Sequence, residues 1–256
     1  MSKKPRFIDA YATEIPIEKL KEVSLDEILN YAFEVYSLAR KTGYYGCVIA
    51  ARFSKYSRNI RAYSKRLDEA IATARENGVN CFSRCHIEAS QQSEFKRILK
   101  AIRFNCDLIS TSPQNRQLMA FSSRDHRIDI LTLIPGKIPP FYSGDLKEIK
   151  CQEKFVEITV ASLFTNNTLD PHRLGILAEI LKVLGRKEIA VIVSTGPLSP
   201  YAPRDPRSLL SFTKIFLGLD QAKLAKDLSQ GILKRITENQ YKRAGKMPVR
   251  GVLIEG

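Results

Sequence analysis

Residues 64–111 read SKRLDEAIATARENGVNCFSRCHIEASQQSEFKRILKAIRFNCDLIST, and the change of period inside this stretch decides the fold. Ser64–Asn77 has helical spacing and Gly78 stops it. Asn80–Ala89 then switches to a β-rich run, Gln92–Phe104 returns to helical spacing, and Cys106–Thr111 is β-rich again. Helix, strand, helix and strand with short links call for parallel strands joined by right-handed crossovers.

The alternation continues in both directions. Phe7–Thr13 and Tyr44–Phe53 read as the first two strands. Between them Ser24-Leu25-Asp26-Glu27 is a capping box, in which hydroxyl and carboxylate satisfy reciprocal orphan amides. Behind it Leu25, Ile28, Leu29, Ala32, Phe33, Tyr36 and Ala39 fall at helical spacing, and Gly43 ends the helix. Beyond residue 111 come a helix over Pro113–Arg124, a fifth strand over Asp129–Ile134, and a loop with one short helix at 135–154. A sixth strand (Phe155–Phe164), a helix (Asp170–Leu184) and a seventh strand (Ile189–Thr195) follow. A Pro-rich loop at 197–206 leads into three mainly helical segments up to about Tyr241, and Val249–Ile254 is a last strand or a docking tail. Seven strand–helix units in 256 residues predict an α/β fold, a TIM-like (β/α) barrel, complete or irregularly closed, with extra C-terminal helices. No fixed repeat or low-complexity linker divides the chain. Residues 1–256 are expected to form one barrel domain, with a basic C-terminal extension at 239–256.

Charge is the strongest compositional signal. The formal net charge is +14, and it is unevenly placed. Residues 52–103 carry a net +7 and residues 206–256 a net +6, while 1–51 and 104–205 are close to neutral. Two concentrated basic blocks attract polyanions by counterion release and point to nucleic acid. No basic amphipathic helix with a broad aromatic face suggests a membrane surface. No run approaches the roughly 20 apolar residues of a spanning helix, and no apolar region follows the basic N-terminus as in a secretory signal. A soluble intracellular protein is expected. Five scattered cysteines do not form the dense framework of a small secreted domain, so free structural thiols are expected. Cys81-x-x-x-Cys85-His86 lacks a second Cys/His pair to complete a zinc site.

Chemistry in a barrel of this kind sits where strands end and βα-loops begin. Metal-dependent phosphoesterase barrels place His-x-His at the end of the first strand, where this chain has Phe7-Ile8-Asp9-Ala10-Tyr11-Ala12-Thr13. His86, His126 and His172 lie far apart, so no catalytic set and no metal site are expected. Ser194-Thr195-Gly196-Pro197 is either a phosphate-binding turn or a plain tight turn. What the strand ends do offer is arginine. Arg52 closes the second strand, and Lys55, Arg58, Arg61, Lys65 and Arg66 follow it with Tyr56 and Tyr63 interleaved. Six basic groups in fifteen residues without an acid suit an RNA backbone, which Arg meets bidentately while rings stack on splayed bases. Arg84 in the third strand, Arg124 and Arg127 around His126, and Arg204 and Arg207 around Asp205-Pro206 extend the set.

A succession of motifs in residues 115–218 resembles the ribonuclease P protein component 3 family. Asn115-Arg116 opens a helix, and Arg127-Ile128-Asp129-Ile130-Leu131 enters a strand. Glu157-Ile158, Pro171-His172-Arg173 with Leu174–Leu184, Val193-Ser194-Thr195-Gly196 and Arg204-Asp205-Pro206-Arg207-Ser208-Leu209 complete it. Thr195 and Pro197 stand where the pattern prefers Ser and Ala. Arg116, Arg173, Arg204 and Arg207 match family positions, and Arg204 and Arg207 are the best transferable RNA contacts. The resemblance implies a barrel subunit that binds ribonuclease P RNA and precursor tRNA, supporting removal of the 5′ leader. It implies assembly with a small α/β partner subunit as a heterotetramer, and with further ribonuclease P proteins. Hydrolysis would belong to the RNA and its Mg2+, with no cofactor bound by the protein. The location would be cytoplasmic in an archaeon or nuclear in a eukaryote. Exposed parts of helices near 170–186 and 206–228 are candidates for the partner surface. The competing class is a stand-alone metal-dependent phosphoesterase or nuclease barrel, which needs convergent His and Asp ligands.

Overall fold

Each of the seven strands predicted between Phe7 and Thr195 lies parallel to its neighbour in sequence. A computed structural model describes residues 6–15, 24–166, 168–196 and 205–247. The first half contains β1 (Ile8–Ile15), α1 (Leu25–Lys41), β2 (Gly46–Phe53), α2 (Ile60–Glu76), β3 (Cys81–Ile87), α3 (Gln92–Ile102), β4 (Leu108–Thr111), α4 (Arg116–Arg124) and β5 (Ile130–Leu133). Then come α5 (Ser143–Cys151), β6 (Phe155–Thr159), the hairpin strands β7 (Phe164–Thr165) and β8 (Thr168–Leu169), α6 (Pro171–Arg186) and β9 (Ala190–Ser194). α7 (Pro206–Leu217), α8 (Gln221–Lys226), a π turn (Asp227–Gly231) and α9 (Ile232–Arg243) end the described chain. The main sheet has seven strands in the order β1-β2-β3-β4-β5-β6-β9, all parallel. This is the expected TIM-like barrel in its incomplete form, with helices appended. No helix among the described residues is long and apolar enough to cross a membrane.

Local chemistry sets the element ends. At α1 the Ser24 hydroxyl accepts from the Glu27 amide at 3.1 Å, and the Ser24 amide donates to Glu27 Oε2 at 2.6 Å. Strand β3 is buried along its whole length because its inner face fills the bore and its outer face carries helices. Some ends differ from expectation. Helix α2 begins at Ile60 rather than Ser64, so Arg61 lies on the helix with Lys65 and Arg66 rather than in the loop before it. Pro113 stays outside α4, because Asn115 caps it by accepting from Leu118 N at 2.9 Å. The sixth strand stops at Thr159, whose carbonyl takes the Ser162 hydroxyl as the chain turns into a short 3₁₀ segment. Cys85 and Cys106, expected as free thiols, are paired as a disulfide, their Cα atoms 6.0 Å apart and within bridging reach.

Among the described residues no eighth strand joins β9 to β1, and helical elements pack there instead. The π turn packs against both β9 and β1, and Gly231 brings it so close that an added Cβ would stand 3.2 Å from the Phe155 ring. Helix α9 then runs under the N-terminal ends of the strands. Asn239 donates to Asp107 O (2.9 Å) and Asp129 Oδ2 (3.1 Å), and Gln240 donates to Asp107 Oδ1 (2.9 Å). Arg243 bridges Asp107 and Asp68, and Arg235 donates to the carbonyls of Gln152 and Glu153. The boundary expected at residue 239 therefore falls inside α9, and its Arg235 and Arg243 are spent on the barrel floor. The rest of that extension, including Val249–Ile254, lies outside the described residues.

Candidate nucleic-acid interface

The bore holds the first correction. Arg84, expected to touch RNA, is 0% exposed. Its Nη1 and Nη2 donate to Glu157 Oε1 and Oε2 at 2.8 and 2.6 Å. Nε donates to Ser110 Oγ (2.7 Å), Nη1 also to Ala10 O (2.8 Å), and Nη2 also to Thr132 Oγ1 (2.9 Å). Thr132 and Ser194 hydroxyls donate to the same carboxylate. One ion pair thus ties together β1, β3, β4, β5, β6 and β9 from inside. A desolvated guanidinium in such a cage has no N–H left for a phosphate.

The seam between β1 and β9 decides the Ser194–Gly196 turn. The amide and hydroxyl of Thr195 donate to the buried Asp9 carboxylate, and the Gly196 amide donates to Tyr11 O at 2.8 Å. These amides are consumed by closing the barrel, so the turn is structural rather than a phosphate cradle; Pro197 lies outside the described residues. Burial raises the Asp9 pKa despite the Thr195 bonds. Above the bore, His86 is buried between Ser110 (Nδ1···Oγ 2.9 Å) and Ser112 (Nε2···Oγ 3.3 Å). Burial, then the charges of Arg84 and Arg52, hold its pKa well below the usual histidine value. Among the described residues, no group of three or more His, Cys, Asp or Glu is placed to hold a metal.

The strands being parallel, the remaining candidates sort by the end of the barrel they occupy. Arg52, Lys55, Arg58, Arg61, Arg116 and Arg207 belong to the C-terminal end, whereas Arg124 and Arg127 follow α4 down to the N-terminal end. Arg52 is 39% exposed but is bonded to Glu14 (3.0 Å) and Glu88 (3.5 Å), which neutralise most of its field. Arg116 pairs with the buried Asp145 at 2.8 Å and lies 4.1 Å from the Tyr142 ring centroid, pinning α4 to α5. Arg127 forks onto Asp125, donating through Nε at 2.8 Å and Nη2 at 2.5 Å. Burial alone would raise the Asp125 pKa, but the Arg127 bonds hold it below the usual carboxylate value. Arg173 donates to Ser162 O and pairs with Asp170. Arg124 and Arg207 are exposed at opposite ends. Arg204 lies outside the described residues.

Lys55, Arg58 and Arg61 are left without a carboxylate in their cleft, and the fold adds to them. All three are exposed around a cleft of about 910 Å³ that Lys65 and Arg97 also line, with no acidic residue among its lining. Arg97 comes from α3, and its Nη2 donates to Lys55 O at 3.4 Å. It was not singled out from sequence because only the side-by-side packing of α2 and α3 brings it there. At the other end Arg103, Phe104, His126 and Arg127 line a second cleft beside α9.

This incomplete TIM-like barrel has its bore locked by an ion pair and carries its acid-free cluster of exposed cations outside the bore, on the β2–α2 loop and on α2 and α3. The chain belongs to the family described as RNase P subunit p30, whose model matches residues 22–244. It is a protein subunit of ribonuclease P and takes part in tRNA processing. Its fold is similar to that of a chain in the cryo-EM structure of archaeal ribonuclease P with mature tRNA. That match has a TM-score of 0.62 and 18% identity, covering 87% of this chain and 94% of the other. Fainter similarity reaches ochratoxinase of A. niger (TM-score 0.48, 11% identity, covering 90% and 71%). An N-acetyl-D-glucosamine-6-phosphate deacetylase from Mycobacterium smegmatis also matches (TM-score 0.44, 10% identity, covering 94% and 77%). Comparison of the sequence with curated proteins gives no match.

Proposed function

We propose that this chain is a non-catalytic scaffold that clamps ribonuclease P RNA while the RNA, with its Mg2+, removes the 5′ leader from precursor tRNA. The observation that carries this reading is the acid-free cleft of Lys55, Arg58, Arg61, Lys65 and Arg97 on a member of a ribonuclease P family. The bore, where a barrel enzyme would keep reacting groups, is filled by Arg84, Glu157 and Tyr11 packed against one another. Cations facing phosphates screen RNA self-repulsion and lower the Mg2+ needed to hold its fold. Val183, Ile215 and Phe216 stand exposed on α6 and α7, within the segments expected to meet the small α/β partner, and that partner covers them in the assembly. Phe216→Ser is then expected to abolish co-elution with the partner subunit while leaving RNA affinity unchanged.

The test is precursor tRNA cleavage by the protein alone, by ribonuclease P RNA alone, and by both with the partner subunit. The reading expects cleavage only where the RNA is present, at a lower Mg2+ optimum when the protein is added. Cleavage by the purified protein alone would instead install the metal-dependent nuclease.

A further inference from the structure

The cleft at the start of α2 combines an exposed aromatic ring with an acid-free lining, whereas the second basic cleft, where Phe104 lies 4.1 Å from Arg103, also holds Asp129. Tyr56 is 80% exposed, and the Lys55 ammonium lies 4.8 Å from its ring centroid. The turn that carries it is held by two serines. Ser54 N donates to Ser57 Oγ at 2.9 Å, Ser57 N to Ser54 O at 3.0 Å, and Tyr56 N to Ser54 Oγ at 3.3 Å. Ser57 is buried, so the turn is anchored from below while Tyr56 projects from it. The backbone that carries the ring is therefore set before anything binds, which removes part of the ordering cost. Arg58, Arg61 and Arg97 surround it, with Lys65 sharing its charge with Glu69 at 3.2 Å.

A flat ring among cations matches one kind of nucleic acid better than another. A duplex keeps its bases stacked inside and offers mainly phosphates and 2′-hydroxyls, which engage the cations and leave a ring idle. A single strand alternates phosphate and free base, so that a base stacks while the flanking phosphates meet basic side chains. We propose that this cleft binds a single-stranded RNA segment, one base stacking on Tyr56 and its neighbouring phosphates lying against Arg58, Arg61, Lys65 and Arg97. The proposal rests on the scaffold reading and narrows it, since it names the RNA conformation this site takes. Two sources offer the same chemistry, an unpaired stretch of ribonuclease P RNA and the 5′ leader of the precursor.

The probe is a short oligouridine carrying one central 2-aminopurine, compared with an RNA duplex of equal length, against the full chain. The wild type should bind the single strand with quenching of the 2-aminopurine. Tyr56→Ala should weaken that binding about ten-fold and remove the quench, Tyr56→Phe should restore both, and duplex binding should not change. In the reconstituted enzyme, a Tyr56→Ala defect that grows with leader length assigns the site to the leader. A raised Mg2+ requirement independent of leader length assigns it to the catalytic RNA. Single-strand affinity and quench unchanged in Tyr56→Ala overturn the proposal, even where Arg58→Ala/Arg61→Ala loses binding, because the site would then read backbone alone. That result leaves the scaffold reading intact, which fails if the wild-type chain neither binds RNA nor alters its cleavage, or if it cleaves precursor tRNA without the RNA.

Discussion

A buried arginine is tolerable only when each of its five N–H groups finds an acceptor, and Arg84 meets that condition with five bonds to Glu157, Ser110, Ala10 and Thr132. The pair costs desolvation, yet breaking it from one side leaves an uncompensated charge in the bore. Glu157→Leu is expected to destabilise the protein by about 3–5 kcal/mol, and Arg84→Met/Glu157→Leu to regain much of that loss, as read from denaturation midpoints. A double variant destabilised by the sum of the two single losses would show the two side chains to be uncoupled. Lys154 carries a second buried charge at the foot of β6, donating to the carbonyls of Ser122 and Asp125. Burial lowers its pKa from 10.5 to about 7, against the pull of Asp129 and Asp125. Between those two values the unfolded chain holds a proton that the native state has lost, so stability rises with pH across that window. The rise, up to a few kcal/mol, should be absent in Lys154→Met when thermal unfolding is followed from pH 6.5 to 10.5.

Among the described residues, helical elements rather than an eighth strand close this barrel. The β1–β9 edge is sealed by Asp9, Thr195 and Gly196 above and by the π turn and α9 below. Gly196 has φ +86°, and a Cβ there would stand 2.8 Å from the Cβ atoms of Thr159 and Ala161. Gly196→Ala is therefore both strained and crowded, with an expected loss of about 1–3 kcal/mol in thermal or denaturant unfolding. An unchanged midpoint would mean that the seam moves apart without cost. The helix starts show the opposite case, in which short-range chemistry suffices. Ser24, Asn115 and Asp170 cap α1, α4 and α6 through bonds to amides two or three residues on, and such contacts are readable from sequence because they involve no long-range packing.

At the scale of the whole molecule, the charge is polar in its distribution. The cleft of Lys55, Arg58, Arg61, Lys65 and Arg97 stands by the C-terminal end of the strands, while Arg127, Arg235 and Arg243 at the other end are engaged with Asp125, Asp129, Asp68 and Asp107. Paired cations release few counterions on binding RNA, and unpaired ones release more. Arg58→Ala/Arg61→Ala should lower the slope of log affinity against log salt by about two units, whereas Arg127→Ala should leave it unchanged. A larger change in Arg127→Ala would place the principal RNA face at the opposite end of the barrel.

The sequence alone determined the order of strands and helices, the parallel barrel and the capping box at Ser24, because periodicity and capping act over a few residues. It also located the basic run from Arg52 to Arg66 and, through the motifs at 115–218, the family. Which arginines remain free was decided only by the tertiary structure. Arg84, Arg116 and Arg127 look alike in sequence to Arg58 and Arg61, yet their carboxylate partners Glu157, Asp145 and Asp125 quench them. Glu157 lies far along the chain and Asp145 a helix away, and whether even the nearby Asp125 folds back depends on the turn at the barrel floor. Charge along a chain fixes the sign of what can bind; folding decides where any of that charge is left to spare.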